Sequence, residues 1–185
     1  FLRVKAGSVH ETAEQQGYAH LLEHMAFNGT KNFPKNEIIR LFEKAGLELG
    51  KDLNAFTSFE NTFYSLSIHE KDTELLQQIL GYLSDVSSEI NLDEREVAKE
   101  IGVVKGEIHN LVHLYDNPNI AYMENFAQGT KYQSKNLTGT LQRIEDATAQ
   151  GLRDYYQTWY HPKNIELIIV GNVDSDDTIK LIKKE

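Results

Sequence analysis

Apolar and polar residues alternate along this chain in two distinct rhythms, and the changes of rhythm predict strands interleaved with helices. Leu2 to Val9 alternates weakly, as a half-buried strand does. From Gly17 to Phe27 the spacing turns helical, with Leu21, Leu22, Met25 and Ala26 on one side. A second helix is expected from about Pro34, carrying Ile38, Ile39, Leu41 and Phe42 until Gly46 ends it. Phe56 to Ile68, rich in Phe, Tyr, Thr and Ser, reads as one long strand. Leu75 to Val86 is helical, with Leu75, Leu76, Ile79, Leu80 and Leu83 on its apolar side. The longest helical pattern runs from Asp93 to about Leu114, with Asp93 and Glu94 at the end where negative charge is favoured. Tyr115 to Thr140 is looser and is interrupted by Pro118 and Gly129. Asp146 to Trp159 is helical again, and Ile165 to Val170 is a short apolar strand.

Strands and helices mixed without a strict βαβ cadence predict an α+β fold: an antiparallel or mixed sheet with helices packed on one face. No repeat, low-complexity tract or linker divides the chain, so residues 1–185 are expected to form a single domain. The opening FLRVKAGSV lacks an initiator methionine and reads as a strand entered midway. The segment NIELIIVGNVDSDDTIKLIKKE stops on charge soon after a strand, so truncation at both ends is expected.

A net charge of -9 with no clustered Lys/Arg stripe argues against nucleic acid as a partner. No apolar run is long enough for a membrane span. The absence of cysteine excludes disulfides and thiolate metal sites.

The stretch HLLEHMAFNGT, His20 to Thr30, carries the chemistry. On a helix, His20 and His24 project from one face and can converge on a single ion, with Glu23 beside them. Zinc hydrolysis needs such a carboxylate to accept the proton of the activated water. This is the inverted H-x-x-E-H order of the zinc-helix motif. Two histidines do not suffice, because a catalytic zinc takes a third protein ligand. Glu100 and Glu107, seven apart along one face of the long helix, are the candidates; spacing does not choose between them, and a salt-bridged solvated helix has the same spacing. His109 and His113 form a competing i, i+4 pair without an intervening glutamate. His10, His69 and His161 are isolated and read as surface or structural residues.

HLLEHMAFNGT resembles the zinc-binding segment of the pitrilysin/insulinase family of metallopeptidases, which includes the mitochondrial processing peptidase. The likeness extends in order through DLNAFTSFENTFYSL (Asp52 to Leu66), EIGVVKGE (Glu100 to Glu107) and YYQTWYHPKNIELIIVGNVD (Tyr155 to Asp174). The resemblance implies a fold like the metal-bearing half of the processing peptidase. It implies His20, His24 and Glu107 as zinc ligands, Glu23 as general base, and Glu100 as an acid supporting the ligands. It also implies an edge strand whose Asn54, Ala55, Phe56 and Thr57 hold an extended peptide or small-protein substrate by backbone pairing. Relatives close a homologous second half over the first. That half is absent here, so this lobe is expected to be inactive or weak alone and to need a C-terminal half or partner subunit. Extra length relative to the processing peptidase is expected in a surface loop around Ser84 to Asp93. The wording looks bacterial, which favours the periplasm over the cytoplasm. Rival readings are a non-catalytic structural or processing subunit, and a peptide-binding module in which the histidines are incidental.

Overall fold

The computed structural model describes residues 1–69, 72–115 and 125–184, except for the side chains of residues 112–115. The expected interruption at Pro118 and the side chain of His113 lie outside the described residues. Four strands, β1 (Leu2–Val4), β2 (Leu53–Thr57), β3 (Thr62–Leu66) and β4 (Ile165–Leu167), form an antiparallel sheet in the order β2-β3-β1-β4. The helices are α1 (Tyr18–Asn28), α2 (Glu37–Lys44), α3 (Thr73–Ser88), α4 (Glu94–Tyr115), α5 (Leu141–Glu145), α6 (Ala149–Trp159) and α7 (Ser175–Ile182).

One face of the sheet is the core. Leu2, Val4, Leu53 and Tyr64 are buried there with Leu21, Leu22 and Met25 of α1, Val104 and Ile108 of α4, and Leu152 and Tyr155 of α6. The opposite face is a mixed surface: Phe63 stacks on Phe56 at 4.8 Å, the Arg3 guanidinium lies 5.9 Å from the Phe63 ring, and Arg3 pairs with Glu166 at 3.1 Å. The predicted class, α+β with helices packed on one face, is the observed one.

Several boundaries differ from the sequence expectation, each for a local reason. The strand expected over Leu2 to Val9 ends at Val4, and Ser8–His10 form a 3-10 turn. A Cβ on Gly7 would stand 2.1 Å from the Ser58 carbonyl oxygen, so this crossing of the hairpin admits only glycine. The long strand expected over Phe56 to Ile68 is a hairpin starting at Leu53. Its turn is closed by Ser58 N–H to Asn61 O at 2.8 Å and Asn61 N–H to Ser58 Oγ at 3.1 Å, so side-chain hydrogen bonding replaces the usual Gly or Pro. The second helix starts at Glu37 rather than near Pro34, because Lys35 and Asn36 are left-handed, with φ of 52° and 62°. The helix expected over Asp146 to Trp159 starts at Ala149, N-capped by Thr148, and a short helix over Leu141–Glu145, N-capped by Thr140 and not expected from the sequence, precedes it.

Ser84 to Ser88 is the last turn of α3, not a surface loop. Asp85 is 4% exposed and accepts hydrogen bonds from Thr30 Oγ1 (2.7 Å), Asn32 N (2.7 Å) and Asn32 Nδ2 (2.8 Å), pinning the chain that leaves α1.

Candidate metal centre

The helix that carries the histidines starts without a cap of its own. Its N-cap is Gly17, left-handed at φ 92°, which has no side chain to offer. A Cβ there would meet Ile144 Cδ1 at 2.5 Å and Thr138 O at 2.8 Å. Glu11, 4% exposed, reaches in instead: its two oxygens accept from Gly17 N–H (3.0 Å) and Ala19 N–H (2.9 Å). Two of the free donors at the start of α1 are thereby satisfied.

From this anchored start, α1 runs antiparallel to α4, so successive turns face one another in reverse order. His20 Nε2 lies 3.6 Å and His24 Nε2 3.4 Å from the same oxygen, Glu107 Oε2. One turn along α1, Glu100 Oε1 is 2.8 Å from His24 Nδ1, and Asn28 Nδ2 donates to Glu100 Oε2 at 2.5 Å. Among the described residues, His20, His24 and Glu107 form a group whose ligand atoms all lie within 4.8 Å of one another. Glu23 points from α1 toward β2, where Thr57 Oγ1 donates to its Oε2 at 2.6 Å.

The surroundings set the protonation states. Burial, reinforced by His24, holds His20 down at about 4, so its ring is neutral near pH 7. Burial opposes charge on His24 as well, but the hydrogen bond and charge of Glu100, with Glu23 and Glu107 adding, raise it above its ordinary value. Burial would raise Glu100; the hydrogen bonds from His24 and Asn28 outweigh it and lower the carboxyl. Burial pushes Glu23 up to about 6 against the Thr57 hydrogen bond.

This donor set fits a zinc ion. Contacts of 3.4 and 3.6 Å are too long for good N–H···O hydrogen bonds. They match the roughly 3.3–3.4 Å that separates ligand atoms placed tetrahedrally at zinc bond lengths. In the neutral ring, a proton on His24 Nδ1, held by Glu100, leaves Nε2 bare toward Glu107. The second ring has no such support, since His20 Nδ1 is buried without a hydrogen-bond partner among the described residues.

The residues named from sequence thus separate. His20, His24 and Glu107 come together; Glu100 adjoins His24 through the nitrogen facing away from the group; Glu23 stands beside it. Asn54, Ala55, Phe56 and Thr57 lie on β2, an edge of the described sheet. Phe56 is 53% exposed on the sheet face away from the helices, while Thr57 turns inward to Glu23. The Ala55 N–H is met at 2.9 Å by the Asn54 side chain. His109 is exposed and outside the group; His10 packs on Trp159 and His69 pairs with Asp52, as expected of structural histidines. Sequence reasoning missed Glu11, the Thr57 hydroxyl and Asn28. The signal for Asn28 was present, since residues 20, 24 and 28 share one helix face.

The sequence profile of Insulinase (Peptidase family M16) matches residues 1–142, and that of the Peptidase M16 inactive domain matches residues 146–185. The chain is 35% identical over 187 residues to the probable zinc protease PqqL of Haemophilus influenzae, covering 99% of this chain and 20% of that protein. It superposes on the crystal structure of the periplasmic protease PqqL from Escherichia coli with a TM-score of 0.89 and 33% identity, covering 99% of this chain and 20% of that one. On the separately solved first half of that protease the TM-score is 0.90 at 33% identity, covering 99% of this chain and 39% of the half. The chain spans about a fifth of the length of the curated PqqL relatives it matches. With the profile match running through α1 and both glutamates of α4, this chain belongs to the insulinase family of peptidases, peptidase family M16.

Proposed function

We propose that this chain is the metal-bearing lobe of a zinc-dependent endopeptidase, with His20, His24 and Glu107 as ligands and Glu23 as general base. The observation that carries this reading is the crossing of α1 and α4, where two imidazole Nε2 atoms face one carboxylate oxygen and a buried carboxylate waits beside them. When bound, a zinc ion supplies Lewis acidity, polarising a scissile carbonyl and acidifying water. The work of this chain is to place and move the proton. Glu23, held up at about 6, is ionised near neutrality yet basic enough to accept a proton from the attacking water and hand it to the leaving amine. Thr57 Oγ1 keeps its carboxylate aimed from β2. Glu100 fixes the His24 ring.

An extended peptide adds to the free edge of β2 along Asn54, Ala55, Phe56 and Thr57, pairing with the outward backbone groups of Ala55 and Thr57, since those of Asn54 and Phe56 face β3, and displacing the Asn54 side chain from the Ala55 N–H. Pairing of this kind selects extended conformation before side chains. In the complete protein a homologous second half closes over this lobe, and the relation to a periplasmic protease supports export to the periplasm over a cytoplasmic site.

The test is metal content. The chain purified without chelator is expected to hold about one zinc, lost in His24→Ala and Glu107→Ala, while Glu23→Gln in the complete protein keeps zinc and loses cleavage. A folded wild-type chain with no zinc, or cleavage that survives Glu23→Gln, overturns the assignment in favour of a non-catalytic subunit or a peptide-binding module.

A further inference from the structure

The proposed ligands and base leave one polar side chain on the working face of α1 unaccounted for. Asn28 ends the helix, a position where Asn often serves only to close the last turn. Here the backbone does that: Gly29 N–H bonds to Met25 O, and Asn28 O accepts from Asn36 N at 3.2 Å. The Asn28 carboxamide goes elsewhere, donating to Glu100 Oε2 at 2.5 Å while the other oxygen of Glu100 holds His24 Nδ1 at 2.8 Å.

Antiparallel packing explains why the position matters. His20 meets Glu107, His24 meets both glutamates, and Asn28 meets Glu100, so three residues at four-residue steps on α1 match two residues seven apart on α4. Glu100 is buried, and among the described residues no Lys or Arg pairs with it. Its second oxygen therefore depends on the Asn28 amide. Without that donor the buried carboxylate is half satisfied and free to turn about its last side-chain torsion, because one hydrogen bond fixes a position but two fix a plane.

Resting on the zinc reading above, we propose that Asn28 is a positioning residue of this centre: its carboxamide orients Glu100 so that Glu100 fixes the His24 ring through Nδ1 and turns Nε2 toward Glu107. Asn28 touches neither metal nor substrate. It acts through Glu100 and then His24, one step beyond the ligand partners that are worth about 10–100-fold in metal affinity, so its effect is bounded by that of Glu100.

The experiment uses this chain, with zinc affinity from competition against a chromophoric chelator and with nitrogen–proton NMR of the imidazole groups in the metal-free state. Asn28→Ala is expected to weaken zinc by about 5-fold, less than Glu100→Ala does, and Asn28→Asp, which swaps the donor for a like charge beside Glu100, by more than Asn28→Ala. In a Glu100→Ala background the further change to Asn28→Ala should be under about 2-fold, because the effect runs through Glu100. A merely structural contribution would lower folding stability equally in both backgrounds and leave zinc affinity of the folded chain unmoved. The His24 Nδ1–H resonance should be sheltered in the wild-type chain, broadened by exchange in Asn28→Ala and absent in Glu100→Ala. An unchanged resonance together with unchanged affinity overturns the proposal, as does an equal Asn28→Ala effect with and without Glu100. If the wild-type chain takes up no zinc but the resonance still responds to Asn28, the metal assignment falls and the positioning role stands.

Discussion

Replacing Asp85 by Ala tests how firmly the segment after α1 is tied down. The carboxylate is buried at the last turn of α3 and accepts three hydrogen bonds of 2.7–2.8 Å, from the Thr30 hydroxyl and from the backbone and side chain of Asn32. The Thr30 hydroxyl is buried and loses its acceptor, a cost of about 1–3 kcal/mol. Asn32 is exposed and recovers hydrogen bonds from water, so its share is the lower net value of about 0.5–1.5 kcal/mol. Together these give roughly 3 kcal/mol, or a Tm lower by roughly 10 °C for a chain of this size. Denaturant unfolding followed by circular dichroism should show a lower midpoint with an unchanged slope. Adding Thr30→Val to Asp85→Ala should cost much less than Thr30→Val alone, with a coupling of about 1–2 kcal/mol. Zinc affinity should change by less than about 3-fold, because α1 meets α4 through the site side chains and not through this segment. A loss of stability below about 1 kcal/mol, or additive effects at the two positions, would refute the reasoning that a buried, fully satisfied carboxylate locks this segment.

Three further outcomes follow from protonation and hydrogen bonding. Because His20 is held down at about 4, His24 is raised and Glu23 stands at about 6, zinc uptake at pH 6 should release about one proton from His24 and about half of one from Glu23; calorimetry in buffers of different ionisation enthalpy measures this, and a release above about two protons would contradict the burial of His20. Thr57→Val removes the donor that lowers Glu23, so the acid limb of the pH–rate profile of the complete peptidase should move to higher pH with zinc content unchanged; an unmoved limb would mean that Glu23 does not carry it. Burial, outweighing the two backbone donors, holds Glu11 up at about 7 from an ordinary 4.5. The folded state then binds the extra proton across that window, so the stabilising contribution is complete below pH 4.5 and is lost as pH rises through about 7, by about 3 kcal/mol. The difference in stability between wild type and Glu11→Gln should follow that course; a difference that grows with pH in favour of wild type would show the helix N-terminus prevailing over burial.

The elements that periodicity made legible are those with long one-sided apolar faces, α1, α3 and α4, whose buried residues include the predicted Leu21, Leu22, Met25, Leu75, Ile79 and Leu83. What periodicity concealed is punctuation. The hairpin turn is built by Ser58 and Asn61 rather than by Gly or Pro, and the five-residue helix Leu141–Glu145, too short to show a periodic face, is not legible at all. At the site, the H-x-x-E-H spacing was enough to name His20, Glu23 and His24. It could not distinguish Glu100 from Glu107, because a seven-residue step places both on one face. The direction in which α4 crosses α1 distinguishes them, giving Glu107 to the two Nε2 atoms and Glu100 to the far nitrogen of His24. Glu11 and the Thr57 hydroxyl were out of reach for the same reason, since each acts on a partner that only the tertiary fold brings near.

The crossing of α1 and α4 has a mechanical side as well. The proposed ligands are residues 20, 24 and 107, so an ion bound there would clasp two helices whose connection includes α2, the hairpin and α3. Such a clip closes a long loop of chain, the case in which a cross-link restricts the unfolded ensemble most. A chelator would then unfasten the lobe in the same act that disarms it, exposing the α1–α4 seam to hydrogen exchange and to other proteases.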